Sequence, residues 1–234
     1  MTLRVRADFA SLVWVAAEDH RWVASPEPGV DRVMLDRIGD EIAIATSIVR
    51  YQPQSRFAAH RHERGEEFLV LDGVFADEHS AYPAGYYVRN PPGSLHTPRS
   101  DVGCTLFVKL RQFASDDLVP VVIDTSRLGG TVADGSTQSH VLHRFGSEEV
   151  LLIDGGAGAV RAFVAATVPT EVLMLSGEAE LLGHRLTRLA WIRIPAGQSM
   201  SMRFVRAGRA FVKTRPVSNE PSVETATGYG RMSS

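Results

Sequence analysis

The sequence predicts an all-β protein made of two tandem units, each a sandwich or a barrel. Its local pattern is a series of short apolar runs, such as 68–71 and 105–108, which Gly, Pro and Asp interrupt. Runs of this kind, without long helical periodicity, are typical of β-strands in sandwiches and barrels. An internal repeat and an ordinary globular composition complete the prediction.

The internal repeat indicates that the two units are related. The segment 107–111 (FVKLR) matches 211–215 (FVKTR) at an offset of 104 residues. The same offset aligns the turn 91–93 (PPG) with the turn 195–197 (PAG). Self-similarity at a fixed offset is the sequence signature of a repeated structural unit.

The repeat also gives the predicted domain boundaries. Upstream of the matched block, Arg37 aligns with Arg144 at an offset of 107 residues. A unit of about a hundred residues has the usual size of one domain. We therefore predict a first domain at 1–117, a second domain at 118–216 and a C-terminal tail at 217–234.

Composition narrows the class of protein and its partners. Hydrophobic residues make up 44% and charged residues 22% of the 234 residues, and the net charge is -2. This charge gives no reason to expect nucleic acid or a membrane as partner. The start of the chain lacks the apolar core of a signal peptide, so the predicted location is cytoplasmic. The lone cysteine, Cys104, excludes an internal disulfide and is predicted to be a buried strand thiol.

Four residues of the first unit form a pattern typical of a metal site. His60 and His62 are two positions apart, so on a strand both imidazoles leave the same face. Glu66 follows a glycine at position 65 that suits a bend, and His96 follows the turn at 91–93. Three imidazoles and one carboxylate that face into a small barrel are a suitable ligand set for a divalent ion.

These residues resemble the two motifs of the cupin superfamily. The first motif, G-x5-H-x-H-x3,4-E-x6-G, is matched by 60–73, with Gln54 in place of its opening glycine. The second motif, G-x5-P-x-G-x2-H-x3-N, is matched by 85–96, with Ser100 in place of its final asparagine. The resemblance implies two tandem double-stranded β-helix barrels, also called cupin or jelly-roll barrels.

The fuller string is similar to the ChrR-like branch of cupins, named for the metal-binding domain of a bacterial anti-sigma factor. The similar segments are 65–73, 77–78, 82–85 and 89–91. Relatives in this branch include a diketone-cleaving dioxygenase and regulatory domains. The anti-sigma protein's own zinc module, built on His and paired Cys, has no counterpart in this sequence, so the resemblance does not imply sigma-factor binding.

The second unit has lost the whole ligand set. At the offset of 104 residues, the four positions become Val164, Ala166, Thr170 and Met200. Glu67, in contrast, is retained as Glu171, so we assign Glu66 to the metal and Glu67 to the structure of the barrel. We predict one divalent ion per chain, iron or zinc first, with nickel, manganese or copper as alternatives. The second barrel is predicted to be metal-free and apolar inside.

The other five histidines match no ligand position and are interpreted as surface or structural residues: His20, His79, His140, His143 and His184. The alternative to a metal site is a set of histidines that merely pack in a polar cavity.

Two classes of function agree with this pattern. The first is a small-molecule metalloenzyme of the non-haem dioxygenase type that acts on a small carbonyl or organic acid compound. The alternative is a non-catalytic module that senses a metal or ligand, related to the cupin domain of ChrR-type anti-sigma factors. Either function has a small-molecule ligand as partner. The second barrel could act as a scaffold or as a dimerisation face, so a homodimer agrees with either function.

Overall fold

The computed structural model describes residues 2–164 and 166–216, and the predicted tail at 217–234 lies outside the described residues. These residues form β-strands and two short 3₁₀ helices, Ala17–Asp19 and Thr125–Arg127, without an α-helix. The predicted all-β class of two jelly-roll barrels is confirmed. In the part of the chain that the structure describes, no helix is long and apolar enough to cross a membrane.

Thirteen strands lie before residue 111. They are β1 Arg4–Val5, β2 Val13–Val15, β3 Trp22–Ala24, β4 Val30–Ile38, β5 Ile44–Tyr51, β6 Ser55–Arg56, β7 His60–His62, β8 Glu66–Ala76, β9 Ala81–Pro83, β10 Tyr86–Asn90, β11 Ser94–His96, β12 Arg99–Ser100 and β13 Cys104–Leu110. Eight strands follow. They are β14 Val121–Asp124, β15 Thr137–Phe145, β16 Glu148–Gly155, β17 Val160–Phe163, β18 Thr170–Leu181, β19 His184–Leu186, β20 Trp191–Ile194 and β21 Met200–Thr214.

The strands form two large antiparallel sheets and one small one. The first large sheet has the order β1-β4-β5-β13-β8-β10-β14, and the second has the order β15-β16-β21-β18-β20-β2. β7 and β11 form the two-stranded sheet. The repeat is visible in the strands themselves, because β8 begins at Glu66 and β18 begins 104 positions later at Thr170.

Each half of the chain contributes one strand to the sheet of the other half. β2, near the start of the chain, pairs with β20 of the second sheet, with Val13 opposite Arg193. β14, which follows the first barrel, pairs with β10 of the first sheet, with Val122 opposite Val88. The predicted boundary between 117 and 118 stays a prediction, but β2 and β14 each pair with a strand on the other side of this boundary.

A shared apolar core fills the space between the barrels. Its fully buried side chains come from both halves and include Leu35, Ile48 and Tyr87 from the first, and Leu152, Trp191 and Phe211 from the second. Tyr87 and Phe211 have ring centroids 6.2 Å apart, and Phe107 and Phe211 5.4 Å apart. The two barrels therefore fold against one another through residues that alternate with those facing each barrel's interior.

Two reciprocal ion pairs cross the same interface. Glu67 Oε2 lies 2.5 Å from Lys213 Nζ, and Lys109 Nζ lies 2.5 Å from Glu171 Oε2. Glu67 corresponds to Glu171 and Lys109 to Lys213 in the repeat, so each barrel's carboxylate meets the other barrel's amine. The predicted structural role of Glu67 is confirmed, since its carboxylate also contacts Arg89 Nη1 at 2.5 Å.

Candidate metal centre

The small sheet of β7 and β11 brings the three histidines together. Its antiparallel register places His96 opposite His60 and Ser94 opposite His62. Because alternate residues of a strand face the same side, His60, His62 and His96 all face the interior of the first barrel. The backbone N–H of Gly93 donates to the carbonyl oxygen of His62 at 2.8 Å and holds the 91–93 turn against this sheet.

The bend at Gly65 returns the chain so that Glu66 begins β8. Gly65 has φ +76°, and its N–H donates to the carbonyl oxygen of His62 at 3.1 Å. A Cβ at this position would lie 2.5 Å from the ring of Phe113, so only glycine fits. The predicted bend is confirmed, and it carries the Glu66 side chain back toward the histidines.

The side-chain geometry suits a single ion. The three histidines each offer a ring nitrogen within 4.8 Å of the others. His62 Nε2 and His96 Nε2 are 2.9 Å apart, and Glu66 Oε2 lies 3.4 Å from the first and 3.6 Å from the second. Ligands about 2.1 Å from an ion in a tetrahedral arrangement are themselves about 3.4 Å apart. The donor atoms therefore fit a divalent metal, and the membership of Glu66 in the ligand set stays a prediction.

A second layer of polar contacts orients these side chains. His60 Nδ1 lies 3.1 Å from the carbonyl oxygen of Ala58, and His96 Nδ1 lies 3.5 Å from Asp77 Oδ2. Asn90 Nδ2 donates to Glu66 Oε2 at 3.2 Å. Outer partners of this kind fix the tautomer and the orientation of metal ligands. Asp77 and Asn90 fall within segments similar to the ChrR-like branch, but spacing alone did not assign them a role.

Burial and neighbouring charges shift the pKa values within this cluster in different directions. Burial lowers the pKa of His62. Burial also disfavours protonation of His96, but the neighbouring Asp77 and Glu66 outweigh it and raise the pKa of His96. Burial disfavours the charged form of Glu66, yet the adjacent His62 and His96 lower its pKa. The carboxylate is therefore held in the ionised form that binds a cation.

A cavity of about 440 Å³ opens beside this cluster. His60, His62 and Glu66 line one side of it, and strands β4, β5 and β13 supply the opposite walls. Tyr51 also lines the cavity; burial, followed by the nearby Glu66, raises the pKa of its phenol, which therefore keeps its proton. No motif or spacing singles out Tyr51, because a tyrosine at the end of an apolar strand is ordinary core composition.

The second barrel has a filled, apolar interior, as predicted. Met200, at the position of His96, and Thr170, at the position of Glu66, are each 5% exposed. Val164, at the position of His60, is 91% exposed and lies outside the barrel. Met174, Met202 and Phe204 are completely buried in this core. The interior space that the first barrel leaves beside its histidines is occupied by side chains in the second.

A further group of potential ligands lies between the barrels, made of Asp117, His143 and Glu148. Arg89 contacts both carboxylates at 2.6 Å, and Lys213 Nζ lies 3.0 Å from Glu148 Oε1. His143 Nε2 lies 2.8 Å from Asp117 Oδ2. Arg89 and Lys213, which also contact Glu67, hold these carboxylates in one ion network, which agrees with the structural role predicted for His143.

Comparisons with known proteins support the fold. Residues 10–114 match the family described as the ChrR cupin-like domain. No curated protein matches the sequence. Similar solved structures include a candidate dioxygenase from Nostoc punctiforme, with a TM-score of 0.68 and 13% identity over 91% of this chain and 85% of that one.

Two other structures show how widely this architecture is shared. The bacterial pirin YhhW from Escherichia coli, in complex with nickel(II), has a TM-score of 0.63 and 13% identity over 88% of this chain and 100% of that one. Oxalate decarboxylase from Bacillus subtilis has a TM-score of 0.62 and 11% identity over 87% of this chain and 76% of that one. At these identities the likeness shows the fold alone. The match over 10–114 shows that the first barrel is a ChrR cupin-like domain, and the solved structures show that the chain as a whole has the fold of two cupin barrels.

Proposed function

We propose that the protein is a small-molecule metalloenzyme of the non-haem dioxygenase type that acts on a small carbonyl or organic acid compound. The observation that carries this proposal is the cavity of about 440 Å³ that His60, His62 and Glu66 line in the first barrel. A purely structural ion needs no adjoining cavity, and in the second barrel Met200, at the position of His96, is packed in the apolar core. A cavity of this volume is within the usual range for a small-molecule site.

We assign His60, His62, Glu66 and His96 as the ligands of one divalent ion. An iron ion would supply the reactivity toward dioxygen and carbonyl compounds that the side chains lack. Iron is our first choice because imidazole and carboxylate ligands suit it, with zinc, nickel, manganese and copper as alternatives. The nickel(II) complex of YhhW shows that a protein of similar fold binds such an ion.

The chain's own residues would bind the substrate and exclude water. Val49, Val108 and Leu110 supply an apolar wall of the cavity. The protonated hydroxyl of Tyr51, which lines the cavity, would donate a hydrogen bond to a substrate oxygen. Asp77 and Asn90 would hold His96 and Glu66 in place.

Oxygen consumption tests the proposal directly. The Fe(II)-loaded protein is incubated aerobically with a panel of small diketones and keto acids, and the products are identified by mass spectrometry. His96→Gln should abolish turnover, whereas His184→Gln, which changes a histidine of the second barrel, should leave it unchanged. Saturable binding of panel compounds without any oxygen uptake would refute the enzyme and favour the ligand-sensing module.

A further inference from the structure

Arg32 and Arg37 both line the cavity beside the metal centre, although they are five positions apart on β4. In a regular strand an odd spacing places two side chains on opposite faces. The register of β4 against β5 shifts between Met34 and Asp36, as in a β-bulge. This shift restores Arg37 to the face of Arg32, so the irregularity brings two guanidinium groups to one wall.

Arg37 is buried without a compensating carboxylate. Arg37 is 3% exposed, and its Nε donates to the carbonyl oxygen of Gly39 at 3.0 Å. Its Nη2 donates to the carbonyl oxygen of Asp40. Both acceptors are neutral, and among the described residues no carboxylate lies within ion-pair distance of Arg37. Burial, and then the nearby Arg32, lower the pKa of Arg37, and the carboxylates of Glu41 and Asp40 only partly oppose this shift.

Arg32 is only weakly neutralised. Its Nη2 lies 3.4 Å from Glu41 Oε1, and the Glu41 side chain is 64% exposed to solvent. Its Nε is buried and has no hydrogen-bond partner among the described residues. A buried N–H without an acceptor is unfavourable, and an anion in the cavity would supply one.

The degenerate barrel provides an internal comparison. The repeat aligns Arg32 with Ser139, which carries no charge. Arg37 aligns with Arg144, whose side chain is 66% exposed and lies 2.6 Å from Glu149 Oε1. β15 keeps the corresponding register shift, between Val141 and His143. The inward arginine pair is therefore present only in the barrel that has the proposed metal ligands.

Strand register gives the distance between the arginines and the metal centre. Glu66 is opposite Leu110, Leu110 is opposite Ala45, and Ala45 is opposite Arg37. Three steps between adjacent strands cover about 14 Å along a sheet. The long arginine side chain and the curvature of the barrel shorten this path, so one small molecule could reach both the ion and Arg37.

We propose that the cavity binds small organic acids, with the carboxylate held by Arg32 and Arg37 and the other end of the molecule at the metal. This inference rests on the proposed function, because it names the substrate class of that site. Planar, bidentate recognition of a carboxylate is the interaction for which the guanidinium group is best suited. The charge of the ligand offsets that of the buried Arg37 and the partly buried Arg32.

The test measures binding rather than turnover. Isothermal titration calorimetry of zinc-loaded protein compares 4,6-dioxoheptanoate with its methyl ester, which keeps the dicarbonyl end but has no charge. We expect the acid to bind at least about 10-fold more tightly than the ester, as charge-assisted hydrogen bonds imply. Arg32→Gln should remove this difference. Arg32→Gln should not disturb the fold, since the one ion pair of Arg32 among the described residues is with an exposed glutamate.

Arg50→Gln is the matched control. Arg50 is also on this sheet but pairs with Asp31 on the outer face and does not line the cavity. It should leave the preference for the acid unchanged. Equal binding of acid and ester, no binding of the acid, or an equal loss in Arg50→Gln would overturn the carboxylate subsite. None of these results depends on oxygen uptake, so a failure of the subsite is distinguishable from a failure of the dioxygenase proposal.

Discussion

Glu66 and Glu67 are adjacent carboxylates whose side chains leave β8 on opposite faces. Glu66 faces the histidines, with Oε2 3.4 Å from His62 Nε2, and Glu67 faces the other barrel, with Oε2 2.5 Å from Lys213 Nζ. The same substitution at the two positions should therefore have opposite consequences. Glu66→Gln should remove the metal and spare the fold, whereas Glu67→Gln should weaken the fold and spare the metal.

The expected magnitude for Glu67→Gln follows from its contacts. Breaking a buried ion pair by removing one partner costs about 3–5 kcal/mol of unfolding free energy. Lys213 keeps Glu148 at 3.0 Å, and Arg89 keeps Asp117 and Glu148 at 2.6 Å. Because these partners remain, we expect the lower end of the range, about 3 kcal/mol.

For Glu66→Gln the expected loss is in metal affinity. Replacing an outer partner of a metal ligand costs about 10–100-fold in affinity, and loss of a ligand should exceed that. In the metal-free protein Glu66 has hydrogen-bonding and histidine neighbours but no lysine or arginine in ion-pair contact among the described residues. Its substitution should therefore change the unfolding free energy by no more than about 1 kcal/mol.

Urea unfolding in the presence of chelator measures the first quantity, and metal analysis after dialysis against a defined zinc buffer measures the second. Comparable metal loss in the two variants would refute the assignment of Glu66 over Glu67. A cost below about 1 kcal/mol for Glu67→Gln would show that the inter-barrel ion pair contributes little.

Three further outcomes are expected. Metal analysis should give one equivalent per chain, and two equivalents would contradict the loss of ligands from the second barrel. Gln54 replaces the motif's glycine at φ +63°, so Gln54→Gly should raise the unfolding free energy by about 0.5–1 kcal/mol in urea. Protons should compete with the metal for the three imidazoles, so metal affinity should fall as pH drops through the histidine range. Burial disfavours the charged form of Glu171, but the nearby Lys109 and Arg215 outweigh this effect and lower its pKa below 4.5. Its stabilisation is therefore present above pH 4.5 and is lost as pH falls through its lowered pKa. Circular dichroism recorded alongside metal content should show the metal leaving before the fold is lost.

The parts of the structure that depend on local spacing could be predicted from the sequence. Two imidazoles two residues apart on a strand must share a face, and Gly65 has the positive φ that the bend to Glu66 requires. The repeat separated Glu67 from Glu66 because its counterpart Glu171 persists where the metal ligands are gone. Both carboxylates of that retained pair meet a lysine of the opposite barrel.

The parts that depend on tertiary packing could not be predicted. β2 is three residues long, and nothing in so short a run indicates that it pairs with β20 of the other sheet. Arg32 and Arg37 have a spacing that places them on opposite faces of a regular strand, and only the register shift after Met34 brings them together. Tyr51, at the end of β5, and Asp77, just after β8, are brought to the metal centre and its cavity by the folding of the barrel rather than by any local spacing.

The chain contains two lysines, and the reciprocal pairs bury both of them, with Lys109 1% and Lys213 0% exposed. In the folded protein no lysine amine is therefore accessible to acylating reagents or to enzymes that modify lysine. An acylated Lys109 or Lys213 can arise only after the two barrels have separated, because each amine is enclosed by both. The rate at which these two residues react with an amine-directed label thus reports how often the barrels part, without any engineered probe.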